Sequence, residues 1–361
     1  MSVSWTDLTA IMSCSRASPR LKAKRDSITS EHGSGSESSE HLTSTQSTST
    51  KGTPILKSLL IFLFAQAIIH GITQVLAYYS SKSGHQTLQN LLLLSFSIQM
   101  FVFVHASGLF GNERTERFYD LTGSCTYISN IIYSVHRHGG WHSLSHRQKF
   151  VTLSVVIWSI RLGSFLFSRI NREGGVDSRF TEIKKSLFRF CNAWILQGAW
   201  CWITALPVYV MNTVKNDTNA MVGLDFVGLM LWLVGFCFEV TADSQKNAFR
   251  EDSANKGKFI KSGLWSISRH PNYFGEITLW FGIFLTVLSG VIGQPLFDNF
   301  ITFAKSSQLY CLLFSPVFVY LLLNYVSGVN LLEKSADEKW GRNADYQKYK
   351  KTTPVLFPKL F

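Results

Sequence analysis

The chain has 361 residues, of which 46% are hydrophobic, 14% aromatic and only 16% charged, whereas soluble chains carry charge on about a quarter of theirs. That deficit excludes a soluble enzyme and points to a membrane. The net charge of +12 does not indicate nucleic acid, because the basic residues sit in short stretches between apolar runs and not on one soluble face.

In chain order, residues 1–54 read as a disordered cytosolic tail. From Ser27 to Thr50, 14 of 24 residues are Ser or Thr and none is aromatic, too little apolar surface to offset the entropy of ordering. Arg16, Arg20, Lys22, Lys24 and Arg25 give its first part a faint likeness to an organellar transit peptide, which leaves an organellar membrane as the alternative location.

Eight apolar stretches follow, at 55–79, 88–110, 119–135, 149–168, 191–211, 222–242, 275–294 and 308–328. Most approach the roughly 20 residues that a helix needs to cross the hydrocarbon core. The expected fold class is therefore an all-α, polytopic membrane protein, with residues 55–361 forming one transmembrane unit. The third stretch, short and polar, is the weakest.

Loop charges set the expected orientation. Segments 169–190 and 244–270 carry six Lys/Arg each and 333–361 carries seven, whereas 80–87, 212–221 and 295–307 carry one each: Lys82, Lys215 and Lys305. The positive-inside rule makes the basic segments cytosolic, so the third stretch must cross, giving eight spans with both termini cytosolic. Segment 136–148 resists this scheme: expected to be lumenal, it holds Arg137, Arg147, His136, His138, His142 and His146. Those histidines have no carboxylate or cysteine beside them, and Gly139-Gly140 interrupts a helix, so a solvated loop is expected there, without a metal. The six cysteines, Cys14, Cys125, Cys191, Cys201, Cys237 and Cys311, form no C-x-x-C pair and indicate neither a zinc site nor a disulfide framework.

Three polar segments border spans six to eight. Glu239, Asp243, Asn247 and Arg250 fall within about an 80° arc of one helix face at 100° per residue, a stripe that leaves the membrane, although an ordinary wetted helix end looks the same. Next come Trp265, Arg269, His270, Pro271, Asn272, Tyr273 and Glu276, with Pro271 suited to a first helical turn. After the eighth span lie Glu333, then Asp337 to Asn343, then Tyr346 and Tyr349. Parity puts all three on the cytosolic side, where they could close over one anionic ligand. No Rossmann or P-loop glycine motif, H-E-x-x-H or G-x-S-x-G accompanies them; Gly33-Ser-Gly35 lies in the tail with no strand before it.

At these residues the chain resembles the membrane steroid 5-alpha-reductase superfamily, and more closely its branch with a steroid 5-alpha-reductase-like C-terminal domain. The resemblance covers residues 113–361. It includes Glu116-Arg-Phe-Tyr-Asp120-Leu-Thr-Gly123, Trp158-Ser-Ile-Arg161-Leu-Gly163, Arg169, Gly175-x-Asp177-x-Arg179-Phe180, Gln197-Gly198, Leu206-Pro207, the Glu239–Arg250 stripe and Gly263 through Glu276. The string Leu264-Trp-Ser-Ile-Ser-Arg-His-Pro-Asn-Tyr-Phe-Gly-Glu276 is long and specific, and sterol C14 and delta-7 reductases carry a similar His-Pro-Asn-Tyr-x-Gly-Glu. Isoprenylcysteine methyltransferases carry a weaker form.

The resemblance implies an NADPH site in the half 222–361. Asp243 and Arg250 would contact the cofactor, Asn272 would match the family's cofactor-contacting Asn, and Asn247, Trp265, Arg269, His270, Tyr273, Glu276, Glu333, Tyr346 and Tyr349 would complete the pocket. The residues agree in kind, since NADPH brings phosphates that need cations and a carboxamide that needs an Asn-like partner. In the N-terminal half the chain lacks the Gln-Glu-x-Pro string and the His-Tyr pairing of true steroid 5-alpha-reductases, which leaves the lipid substrate open. The expected activity is reduction of an activated C=C bond in a steroid-like or isoprenoid lipid, in the endoplasmic reticulum. Asp120, near Glu116 and Tyr119, is the best-placed candidate for the proton donor, although an Asp at a helix N-terminus reads the same. The alternatives are an S-adenosylmethionine-dependent lipid or isoprenylcysteine methyltransferase and a non-catalytic protein of the same fold.

Overall fold

The computed structural model describes residues 54–359 except 82, 112, 173, 216, 218–219 and 293–305. The expected tail before Pro54 lies outside the described residues, as do Lys82 and Lys305.

Each of the eight stretches forms a helix: α1 Pro54–Ser80, α2 His85–Ala106, α3 Tyr119–His138, α4 His146–Arg172, α5 Leu187–Met211, α6 Gly223–Glu251, α7 Pro271–Ile292 and α8 Ser307–Leu321. A π-helical turn, Leu322–Val326, leads from α8 into α9, Val329–Trp340, and α10, Ala344–Thr352, follows. No strand occurs among the described residues. Seven helical runs are long and apolar enough to cross a membrane, α1, α2, α4 to α7 and the continuous run Ser307–Trp340 that joins α8 to α9, so the chain is an all-α polytopic membrane protein.

The polarity of α3 has a structural reason, because its polar groups find partners inside the bundle. Thr126 accepts from Gln99 at 3.0 Å, Asn130 donates to Ser95 at 2.6 Å, and Ser134 accepts from Asn212 at 3.0 Å. Such bonds offset the cost of burying polar groups. At the hub lies α5, 83% of whose apolar stretch is buried, against 17% for α1 at the periphery.

Glycines set the closest helix pair. Gly228 and Gly235 on α6 meet Gly282 and Gly275 on α7, and a Cβ on Gly235 would stand 2.5 Å from the Gly275 carbonyl oxygen, with the reverse distance the same. Gly228 and Gly282 repeat this at 2.6 Å each way. Small residues let backbones approach where lipid gives helices no hydrophobic reason to associate. The pairing lays the polar end of α6 beside the polar start of α7.

The contrary loop 136–148 resolves through burial. Arg147 is no exposed loop charge: its guanidinium pairs with both oxygens of Asp225 at 2.7 Å and with Asp217 at 2.5 Å, and its side chain is 3% exposed. Ser145 also donates to Asp217, and Ser289 to Asp225 at 2.5 Å. Burial pushes the Asp217 carboxyl up, against the bonds from Ser145 and Arg147. His138 is buried between the carbonyls of Asn212 and Ser143, and among the described residues no His/Cys/Asp/Glu cluster suits a metal.

Candidate functional site

Proline starts α7 at Pro271, as its fixed φ and missing N–H favour. The helical run of α6 continues to Glu251, so both ends meet at one edge of the bundle. The tail straps this edge. Arg269 N–H donates to the Pro354 carbonyl and Lys359 N–H to the Ile267 carbonyl, both at 2.9 Å. Ser268 Oγ donates to Leu356 O at 2.8 Å, Tyr349 OH to Trp265 O at 2.6 Å, and Trp340 Nε1 to Gly257 O at 2.7 Å. Phe259 packs its ring against Trp340, Tyr346 and Tyr349.

Between α6, the 253–270 connection, α9 and α10 this leaves a cavity of about 380 Å³. Lys246, Arg250, Lys256, Lys258, Arg269 and Lys339 line it, against the single carboxylate of Glu333, so its field favours an anion. Two cations are laid over aromatic rings, Lys246 over Trp265 at 4.6 Å and Lys339 over Trp340 at 4.5 Å. Glu333 accepts from His270 Nε2 at 2.9 Å and pairs with Arg269 at 3.2 Å. Burial pushes the His270 imidazole below its ordinary value, outweighing the Glu333 bond, and pushes the Tyr346 and Tyr349 phenols up.

Deeper in the bundle, Arg161 of α4 holds two acids of α6, Glu239 at 2.7 Å and Asp243 at 2.7 Å. Trp158 Nε1 donates to the second Glu239 oxygen at 3.0 Å. Asn272 Nδ2 donates to Asp243 at 3.1 Å, and the Asn272 carbonyl oxygen is then buried without a hydrogen-bond partner. Arg269 Nε and His270 Nδ1 are also buried and unbonded. Asp243 lies within electrostatic reach of Lys246, which joins this cluster to the polar cavity. Tyr273 stacks on His270, ring planes 9° apart, and touches the close turn at Gly328, where a Cβ would stand 2.9 Å from its ring.

Of the expected cofactor residues, Arg250, Trp265, Arg269, His270, Glu333, Tyr346 and Tyr349 line the cavity. Asp243, Asn272, Tyr273 and Glu276 are not among its lining residues: Asn272 bonds Asp243, Tyr273 stacks on His270, and Glu276 lies within electrostatic reach of Asp243. Asn247 is turned elsewhere: it accepts from Arg172 at 2.8 Å and donates to Glu251 at 2.9 Å. The stripe thus shares one helix face but three environments. Asp120 lines neither this cavity nor the inner cluster; it sits in the first turn of α3 with Arg179 at 3.4 Å and Arg169 at 3.7 Å. Trp158 and Arg161 are site residues that sequence reasoning missed. Their signal was an arginine three residues after a tryptophan within an apolar stretch, a position where charge is costly and needs a partner.

The family model described as a protein of unknown function, DUF1295, matches residues 109–353. The chain is similar to an uncharacterised protein of Schizosaccharomyces pombe, 22% identical over 296 residues, which covers 74% of this chain and 79% of the yeast protein. No solved structure matches it.

Proposed function

The chain belongs to the DUF1295 family of proteins of unknown function, and for this member we propose a membrane-bound, NADPH-dependent reductase of an activated C=C bond in a steroid-like or isoprenoid lipid. The observation that carries this reading is the six-cation cavity, whose wall includes Arg269 and His270, together with the unsatisfied side-chain oxygen of Asn272 two residues further along. NADPH offers phosphates for the first and the N–H groups of a carboxamide for the second, so the donor set fits the group. The resemblance of residues 113–361 to the steroid 5-alpha-reductase superfamily supports the same choice.

When bound, NADPH supplies a hydride. The chain's own part is to bind and orient. Arg250, Lys256, Lys258 and Lys339 meet phosphate charge, while Trp265 and Trp340 give flat surfaces already associated with cations. Arg161 fixes Asp243, and Asp243 fixes the Asn272 amide by its nitrogen, which leaves the side-chain oxygen unbonded. This is preorganisation by fixed partners inside a water-poor bundle. A cation-lined cavity suits S-adenosylmethionine, a sulfonium cation, less well than a dinucleotide.

The loop charges support an orientation with this edge and both termini in the cytosol, and the buried Arg147 removes the main objection to it. The endoplasmic reticulum is the proposed membrane. The test is the emission of NADPH on titration with protein purified in detergent. Enhancement reversed by NADP⁺ but not by S-adenosylmethionine supports the reading, and unchanged emission at saturating protein contradicts it.

A further inference from the structure

A second cavity, also about 380 Å³, lies across α9 from the polar one. Leu331 lines this cavity and Leu332, the next residue, lines the other. Its walls are residues 65–73 of α1, 192–203 of α5 and 314–321 of α8 with Leu322 of the π-helical turn. At 1.5 Å per residue these stretches make a slot about 12–16 Å long, parallel to the helices. One wall, α1, is the helix least buried in the bundle, so the slot lies on the bilayer side.

The lining is apolar apart from a few groups, and most of those are already bonded. Asn192 accepts from Gln66 at 2.7 Å, Tyr119 OH donates to Ala193 O at 2.9 Å, and Thr73 donates to Ile69 O at 2.9 Å. Arg179, the cation in the lining, pairs with Asp177 at 2.6 Å and with Asp120. Gln197 differs. It is 7% exposed, and its carbonyl Oε1 is buried without a hydrogen-bond partner. Its amide has room because α3 offers a glycine there: a Cβ on Gly123 would stand 2.9 Å from Gln197 Nε2. Leaving a buried amide oxygen unbonded is costly, and a ligand hydroxyl that donates to it removes the cost.

We propose that this slot binds an elongated, uncharged lipid with one hydroxyl, which donates to the Gln197 side-chain oxygen. A charged headgroup has no free counter-ion in the lining, and a pure hydrocarbon leaves Gln197 unsatisfied. That the lipid is the substrate rests on the reductase reading; that it binds here does not.

The test uses the full chain in dodecyl maltoside, with retained ligand read by native mass spectrometry. The probes are cholestanol and geranylgeraniol, each beside a hydrocarbon of its skeleton, cholestane and phytane. At least one oxygenated lipid is expected at one per chain, roughly tenfold better than its hydrocarbon, the loss typical of a missing hydrogen-bond partner. Gln197→Leu should bring retention down to the hydrocarbon level without lowering Tm. Ile69→Trp, placed on the peripheral α1, should fill the slot and exclude all four probes. Equal retention of lipid and hydrocarbon by the parent, or unchanged discrimination in Gln197→Leu, overturns the proposal. If NADPH fails to bind while Gln197-dependent retention holds, the reductase reading falls and the lipid site stands.

Discussion

Asp243 is shared between Arg161, at 2.7 Å on one oxygen, and Asn272, at 3.1 Å on the other. Accepting from the Asn272 amide nitrogen fixes that side chain with its oxygen free, so a residue of α4 sets the direction of a group on α7. The relationship gives the proposed cofactor site its orientation and makes Arg161 a positioning residue.

Asn272→Ala and Arg250→Ala should each weaken NADPH binding by about 1.5–3 kcal/mol, the range for hydrogen bonds to charged or buried partners, with Tm nearly unchanged. Arg161→Gln should weaken it too, but with a lower Tm, since it leaves two buried acids unpaired. Calorimetric titration of the three variants checks this. Parent-like affinity in both Asn272→Ala and Arg250→Ala places the pocket elsewhere.

Stability should depend on pH through His270. Burial holds its folded pKa below the ordinary value, so the unfolded chain binds the proton more readily. The stabilisation is therefore complete above the unfolded value of about 6.5 and is lost as pH falls from there toward the folded value. Thermal melting in detergent should show Tm dropping on acidification below that point, and His270→Gln should flatten the drop. A parent Tm that rises on acidification contradicts this sign.

The glycine pairs should be intolerant of side chains. Gly235→Leu has no space against Gly275 and Leu279, and overpacking of this kind costs about 1–3 kcal/mol or more. Gly71, with nothing within 4 Å of its Cβ position, is the control, and Gly71→Ala should leave Tm unchanged. Equal Tm values for the two variants argue against the close α6–α7 contact.

Arg147→Ala should cost about 3–5 kcal/mol by leaving Asp225 and Asp217 buried without their cation. Arg137→Ala, at the exposed C-terminal end of α3, should cost little. A Tm for Arg147→Ala within a degree of the parent means that Arg147 is a loop charge after all, and the orientation argument weakens with it.

Much of this was legible in the sequence because bilayer thickness and backbone satisfaction leave an apolar stretch few options. All eight helices coincide with expected stretches, and Pro271 marked the start of α7. The weak third stretch misled only in degree: α3 is polar because Gln99, Ser95 and Asn212 face it, partners far away in the chain. For the same reason Asn247 and Asp120 looked like site residues. Spacing fixes a helix face but not the neighbour across it, and Arg172 and the Arg169–Arg179 pair claim them. Arg161 and the glycines at 228, 235, 275 and 282 were visible as letters; what they meet required the packed bundle.

The most direct measurement of the central claim is isothermal titration of detergent-purified protein with NADPH, NADH and S-adenosylmethionine. The cations of the polar cavity should bind NADPH strongly, NADH more weakly for want of the 2′-phosphate, and S-adenosylmethionine not at all. Heat from S-adenosylmethionine alone, or from none of the three, contradicts a reductase.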